Sequence, residues 1–269
     1  MRVHHLNCAT MCPPFVGKMV CHVLAVETPA DGVVLVDTGL GSADLATPRQ
    51  RLGREFVAIT RPRLDASETA LAQLGRLGFA ARDVRHVVVT HLDLDHAGGL
   101  CDFPEATVHV SAAEHDAAMT RPSAGERQRY RPAQWAHGPK WQLHRVGADD
   151  GERWNGFQGV RAFAGLPPEI LGVPLHGHTR GHHGIAIRRA GDAGWMLHAG
   201  DAYFHHAEME AQPSCPLPLR AFQRLMAVDD DARVANQRRL RALAGDAAAS
   251  VRVFCAHDPR ELERCQAAR

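Results

Sequence analysis

Val87-Val88-Val89-Thr90-His91-Leu92-Asp93-Leu94-Asp95-His96-Ala97-Gly98-Gly99 is the stretch that decides how this chain folds and what it does. A short β-branched run ends in His91, Asp93, Asp95 and His96, all residues of metal-ligand type. Imidazoles and carboxylates crowded past a buried strand repel one another or go unsatisfied unless a cation holds them, and a divalent ion satisfies them together. Gly98 and Gly99 let the backbone turn close beside the cluster. Three more residues of ligand type, His178, Asp201 and His257, each follow an apolar run. Ligands in layered α/β proteins gather past the carboxyl ends of strands, so all seven are expected to converge on one site.

The composition is that of a soluble globular domain and leaves most functions open. With 269 residues, 45% hydrophobic and 23% charged, the chain is neither collagen-like, coiled-coil nor disordered, and a single domain over 1–269 is expected. Lys+Arg 31 against Asp+Glu 30 leaves a net charge of +1, so no basic field exists to gather nucleic acid or an anionic membrane surface. Neither a signal-peptide core near Met1 nor a run of bilayer-spanning length is present in the sequence, which points to the cytoplasm. Seven cysteines, an odd number without C-x-x-C spacing, indicate neither a disulfide framework nor a zinc finger. The 18 histidines are the anomaly, because imidazole is the commonest metal ligand.

Short apolar runs at 20–26, 33–36, 84–89, 107–110, 184–187, 195–197 and 251–254 read as strands. Helices are expected at 67–77, where Leu71, Leu74 and Leu77 are spaced by three, and at 111–119, which Ser111 and Glu114 open as a capping box. A third runs from the Asp229-Asp230-Asp231 cluster to Gly245. The segment 120–168 holds Trp135, Trp141 and Trp154 with several arginines, Arg129 among them, and reads as an insertion near the site. Its aromatics suit covering a core edge or a subunit contact, and lining a substrate pocket stays open.

His91-Leu-Asp93-Leu-Asp95-His96 resembles the H-x-[HED]-x-D-H signature of the metallo-β-lactamase superfamily. Further matches follow in the family's order: Asp37-Thr38-Gly39 after a strand, Gly177-His178-Thr179-Arg180-Gly181-His182, Gly200-Asp201, and His257-Asp258. The resemblance implies an αβ/βα four-layer sandwich with a binuclear metal site at one edge. It assigns His91, Asp93 and His178 to one ion, Asp95, His96 and His257 to the other, Asp201 to both, and Asp37 to a supporting role. The other histidines lack such an anchor and read as surface or hydrogen-bonded core residues, with His182 supporting its own loop.

Asp93 departs from the hydrolase branches, which usually carry histidine there. Three carboxylates facing two divalent ions leave one positive charge where a histidine would leave two. That lowers the acidity of bound water and admits Mn or Fe beside Zn, the first expectation. The implied chemistry is hydrolysis of a small carbonyl compound by a metal-bridging hydroxide, with lactone or ester favoured, thioester or lactam open, and Asp95 or Asp201 moving the proton. The lactonase and glyoxalase II-like branches are the ones resembled. Tyr203 and Arg180 are candidates for substrate contact or for packing. The rivals are an iron-binding redox protein of the same superfamily, an RNA- or DNA-processing nuclease and a non-catalytic binding protein. A small-molecule substrate, no nucleic acid and no membrane are the expected partners, and a homodimer is left open.

Overall fold

A computed structural model of the chain describes residues 1–30, 32–189 and 194–268. Six strands form the first sheet in sequence order: β1 (Arg2–Met11), β2 (Met19–Glu27), β3 (Val33–Val36), β4 (Val84–Val88), β5 (Thr107–Ser111) and β6 (Lys140–His144). β1 to β3 pair antiparallel, and β3 to β6 pair parallel. The second sheet runs β12-β11-β10-β9-β8-β7, with β7 (Glu152–Trp154), β8 (Phe157–Ala162), β9 (Ile170–Pro174), β10 (His183–Arg188), β11 (Trp195–His198) and β12 (Val251–Phe254). Among the described residues, only β11 and β12 are parallel there.

Side chains alternate across a strand, and β3 shows what that does here. Val34 and Val36 face inward, joining Leu24, Val26 and Val88 of the first sheet and Ile170, Ile185, Ile187, Met196 and Phe254 of the second in one core between the sheets. Val33 and Leu35 face outward onto Ala70 and Leu74 of α4 (Ala70–Arg76) and Ala117 and Ala118 of α6 (Ala112–Thr120). On the far side Val173, Ala186 and Leu197 pack on Leu240 and Leu243 of α9 (Asp230–Gly245). The layers are therefore helix, sheet, sheet, helix, the sandwich the sequence implied.

The remaining helices border the site edge or close the chain. α1 (Ser42–Ala46), α2 (Pro48–Arg51) and α3 (Arg54–Thr60) follow β3, α5 (Leu94–Ala97) follows β4, α7 (Ala124–Arg129) follows α6, α8 (Leu217–Met226) precedes α9, and α10 (Pro259–Ala267) ends the fold. Asp229 caps α9 by accepting from Ala232 N at 2.9 Å, as the acidic cluster predicted. The capping box at Ser111 did not form: Ser111 makes no side-chain cap, and the Glu114 carboxylate is engaged elsewhere, as described below. Within 120–168, Trp135 and Trp141 pack against the outer core of the first sheet, and Trp154 meets Trp195 edge-on. Among the described residues no helix is long and apolar enough to cross a membrane.

Candidate metal centre

Strand ends from both sheets converge on one edge of the sandwich. Past β4 the chain leaves the sheet, places His91 and Asp93, and turns into α5, whose first turn carries Asp95 and His96. His178 follows β9, Asp201 follows β11 and His257 follows β12. All seven side chains are buried. Gly200, just before Asp201, has φ +53°, and a Cβ there would lie 2.5 Å from His182 Nε2, so only glycine fits.

Asp201 sits at the middle. Its Oδ2 lies 3.1 Å from His257 Nε2, 3.4 Å from His178 Nε2 and 3.8 Å from His91 Nε2, and its Oδ1 lies 3.2 Å from His96 Nε2. Asp93 Oδ2 lies 3.0 Å from His178 Nε2 and 3.4 Å from His91 Nε2, and Asp95 Oδ2 lies 3.6 Å from His257 Nε2. Two ligands on one tetrahedral ion with bonds near 2.1 Å stand about 3.4 Å apart, which is the spacing these atoms keep. His91 Nε2, His96 Nε2 and Asp201 Oδ1 are buried without a hydrogen-bond partner, the condition an ion would relieve.

The far nitrogens explain why the near ones are free. His257 Nδ1–H donates to the Val20 carbonyl at 2.8 Å, and His96 Nδ1–H donates to Asp37 Oδ2 at 2.8 Å. Thr90 Oγ1 donates to Asp37 Oδ2, which leaves it to accept from His91 Nδ1–H at 3.0 Å. Three imidazoles are thus held with the Nε2 lone pair aimed inward, the orientation metal-ligating histidines take. Asp37 also accepts from Thr90 N at 2.7 Å and has φ +59°, a strained backbone at the hub of these bonds. His182 Nδ1–H donates to the Leu175 carbonyl, and its Nε2 accepts from Asp201 N at 2.9 Å, so it orients the shared aspartate.

The electrostatics match. Burial opposes charge on Asp201, but His257, His96 and His178 outweigh it and hold the carboxyl well below its usual range. Burial likewise opposes charge on Asp93, where the Arg129 guanidinium wins. Burial would keep His96 neutral, yet Asp201 and Asp37 push its basicity well above the ordinary value. Without a metal, protons on imidazoles balance the carboxylates, and a divalent ion would displace them. Burial and the neighbouring His91 keep His182 neutral, as an acceptor must be.

The two roles left open for Tyr203 and Arg180 resolve to structural contacts. Tyr203 does not face the site: it is fully buried and donates to Glu261 Oε1 at 2.9 Å. The ring that meets His257 and His178 is Phe204, with centroids 4.9 and 6.0 Å away. Arg180 is tied to Glu126, Nε to Oε1 at 2.6 Å. Glu114 accepts from Leu92 N and Tyr130 Oη on Oε1, and from Thr179 Oγ1 and Gly181 N on Oε2, binding the loops that carry His91 and His178 to one carboxylate. The sequence offered no sign of that role, because S-x-x-E reads locally as a cap. Cys21 also comes within 4.8 Å of Asp95 and His257, and burial, with Asp95 beside it, keeps it an uncharged thiol. His205, His206 and Asp258 cluster too, but Asp258 already accepts from His206 N, Arg260 N and Glu261 N. Other histidines pair with one another, as His86, His109 and His144 do in file across β4, β5 and β6 at 2.9 Å each.

A family model described as the metallo-β-lactamase superfamily matches residues 16–235. A probable metallo-hydrolase of Mycobacterium tuberculosis is 44% identical over 261 residues, covering 96% of this chain and 81% of that protein. The N-acyl homoserine lactonase AttM of Rhizobium johnstonii is 30% identical over 187 residues, 69% of this chain and 67% of its own. Among solved structures, an N-acyl homoserine lactone hydrolase with product N-hexanoyl-L-homoserine at its catalytic metal centre superposes with a TM-score of 0.72 at 18% identity, over 98% of this chain and 95% of that one. At that identity the superposition speaks for the fold alone.

Proposed function

The chain belongs to the metallo-β-lactamase superfamily as a metallo-hydrolase, and from that footing we propose that it uses two divalent ions to hydrolyse a small carbonyl compound, a lactone or ester first, a thioester or lactam next. His91, Asp93 and His178 would hold one ion, Asp95, His96 and His257 the other, with Asp201 touching both. Such a pair supplies an activated water and a Lewis acid for the substrate carbonyl. The observation that carries this reading is the set of imidazoles anchored at Nδ1 whose Nε2 atoms surround one buried carboxylate. The mixed nitrogen and oxygen donors suit zinc, and the carboxylate at position 93 leaves Mn or Fe open.

The protein's own groups do the rest. Both Asp201 oxygens face imidazoles, whereas the Asp95 side chain is 11% exposed, so Asp95 is the better placed of the two to hold a proton on its way to the leaving atom. Phe204, Leu94 and Leu219, with Met19 and Leu40, pack into a buried apolar cluster beside the ligands, and Phe204 offers a substrate no hydroxyl donor.

The test is metal analysis of protein purified without added metal, followed by lactone, ester, thioester and phosphodiester assays. Two ions per chain and carbonyl hydrolysis that His96→Ala and Asp201→Ala abolish are expected. Full activity in both variants, or no metal uptake after reconstitution, overturns the reading.

A further inference from the structure

Arg129 brings a buried guanidinium against Asp93, the residue that departs from the family pattern. It ends α7, and its side chain is 9% exposed. Nη1 donates to the His178 carbonyl at 2.8 Å and Nη2 to the Met226 carbonyl, so the group is fixed by backbone on two sides. Nε then lies 3.3 Å from Asp93 Oδ1. The two oxygens of Asp93 face different ways: Oδ1 the guanidinium, Oδ2 the imidazoles of His178 and His91.

We propose that Arg129 is the positioning and charge partner of Asp93, and that the pair acts as one neutral ligand. This rests on the reading of the site as a metal centre. An aspartate at this position removes one positive charge relative to a histidine, and a guanidinium, which stays protonated at any working pH, returns it. The charge deficit read from the sequence is therefore cancelled by a residue 36 positions downstream. The charge beside Oδ1 also leaves Oδ2, the oxygen facing His178 and His91, for the ion. The competing account makes Arg129 a clamp for the carbonyls of His178 and Met226 whose nearness to Asp93 has no consequence. The accounts differ in whether positions 93 and 129 are coupled.

A double-mutant cycle decides between them. Wild type, Asp93→His, Arg129→Gln and the double variant are compared by zinc content, by zinc dissociation constants from competition with a chromophoric chelator, and by the melting temperature of the metal-free protein. With a neutral imidazole at 93 the guanidinium repels the ion, so Asp93→His should lose about tenfold in zinc affinity and Arg129→Gln in that background should recover it, a size typical of groups behind a metal ligand. In the wild-type background Arg129→Gln gives no such gain, because the repulsion it removes is offset by loss of the contact that orients Asp93; it lowers the melting temperature of the metal-free and the zinc-loaded protein alike. Arg129→Lys, which keeps the charge, stays near wild type in affinity. Where Asp93→His does not fold, Asp93→Asn takes its place with the same expectation. An Arg129→Gln effect on zinc affinity that is the same in both backgrounds overturns the proposal and leaves the clamp. Wild type that takes up neither zinc, manganese nor iron overturns the metal-centre reading instead, and the proposal with it.

Discussion

Replacing Asp37 by asparagine changes almost no volume and touches no proposed ligand except through one hydrogen bond, yet it should cripple the metal centre. Asp37 accepts three hydrogen bonds, from Thr90 N at 2.7 Å, Thr90 Oγ1 at 2.8 Å and His96 Nδ1 at 2.8 Å. In Asp37→Asn the new side chain can keep the first with its carbonyl oxygen, but its amide nitrogen then faces His96 Nδ1. Two donors cannot meet, so His96 turns to the tautomer that accepts at Nδ1 and carries its proton on Nε2, the atom 3.2 Å from Asp201. A protonated Nε2 cannot bind an ion. The expected loss is about 10- to 100-fold in zinc affinity at one of the two proposed ion positions, or about 1.4 to 2.8 kcal/mol. Chelator competition on wild type, Asp37→Asn and Asp37→Ala measures it, and the isosteric variant should do no better than the truncated one, in which His96 is free to choose its tautomer. Two zinc ions bound by Asp37→Asn with wild-type affinity would refute the orienting role.

Two further outcomes rest on buried acids outside the proposed ligand set. Burial pushes Glu261 up from 4.5 to about 7. A raised carboxyl pKa means the folded chain favours the protonated form, so its contribution is fully present below the unfolded value and is lost as pH climbs through about 7. Wild type should lose about 3 kcal/mol relative to Glu261→Gln between pH 4.5 and pH 8, read from urea melts across that range, and equal slopes would count against the assignment. Glu114→Gln turns an amide donor toward Gly181 N–H and Thr179 Oγ1, leaving one buried N–H unpaired, and should cost about 1–3 kcal/mol in stability by the same melts. An unchanged denaturation midpoint would mean the two site loops do not depend on that carboxylate.

Much of the molecule is legible locally. A strand such as Val33–Val36 announces itself because a strand buried on both faces must be apolar at nearly every position. β1 is not visible in the sequence, since Arg2–Met11 carries two histidines and an asparagine whose partners, Glu27, His22 and Thr10, lie across a hairpin or a bulge. Glu114 escapes a local reading for the same reason: its motif is local, its partners are not.

The sequence by itself determined which residues can ligate, because ligand chemistry belongs to residue type, and it marked where each sits relative to a strand end, because runs of apolar residues show where strands stop. Only the tertiary structure decided how those residues are held. Asp37 choosing the tautomer of His96, His182 aiming Asp201, Glu114 tying two loops and Arg129 facing Asp93 are contacts between residues 19 to 67 positions apart. Nothing in a local pattern encodes them, since hydrogen bonds and charge pairing act through space, and the distances that matter exist only once the two sheets have closed on their shared core.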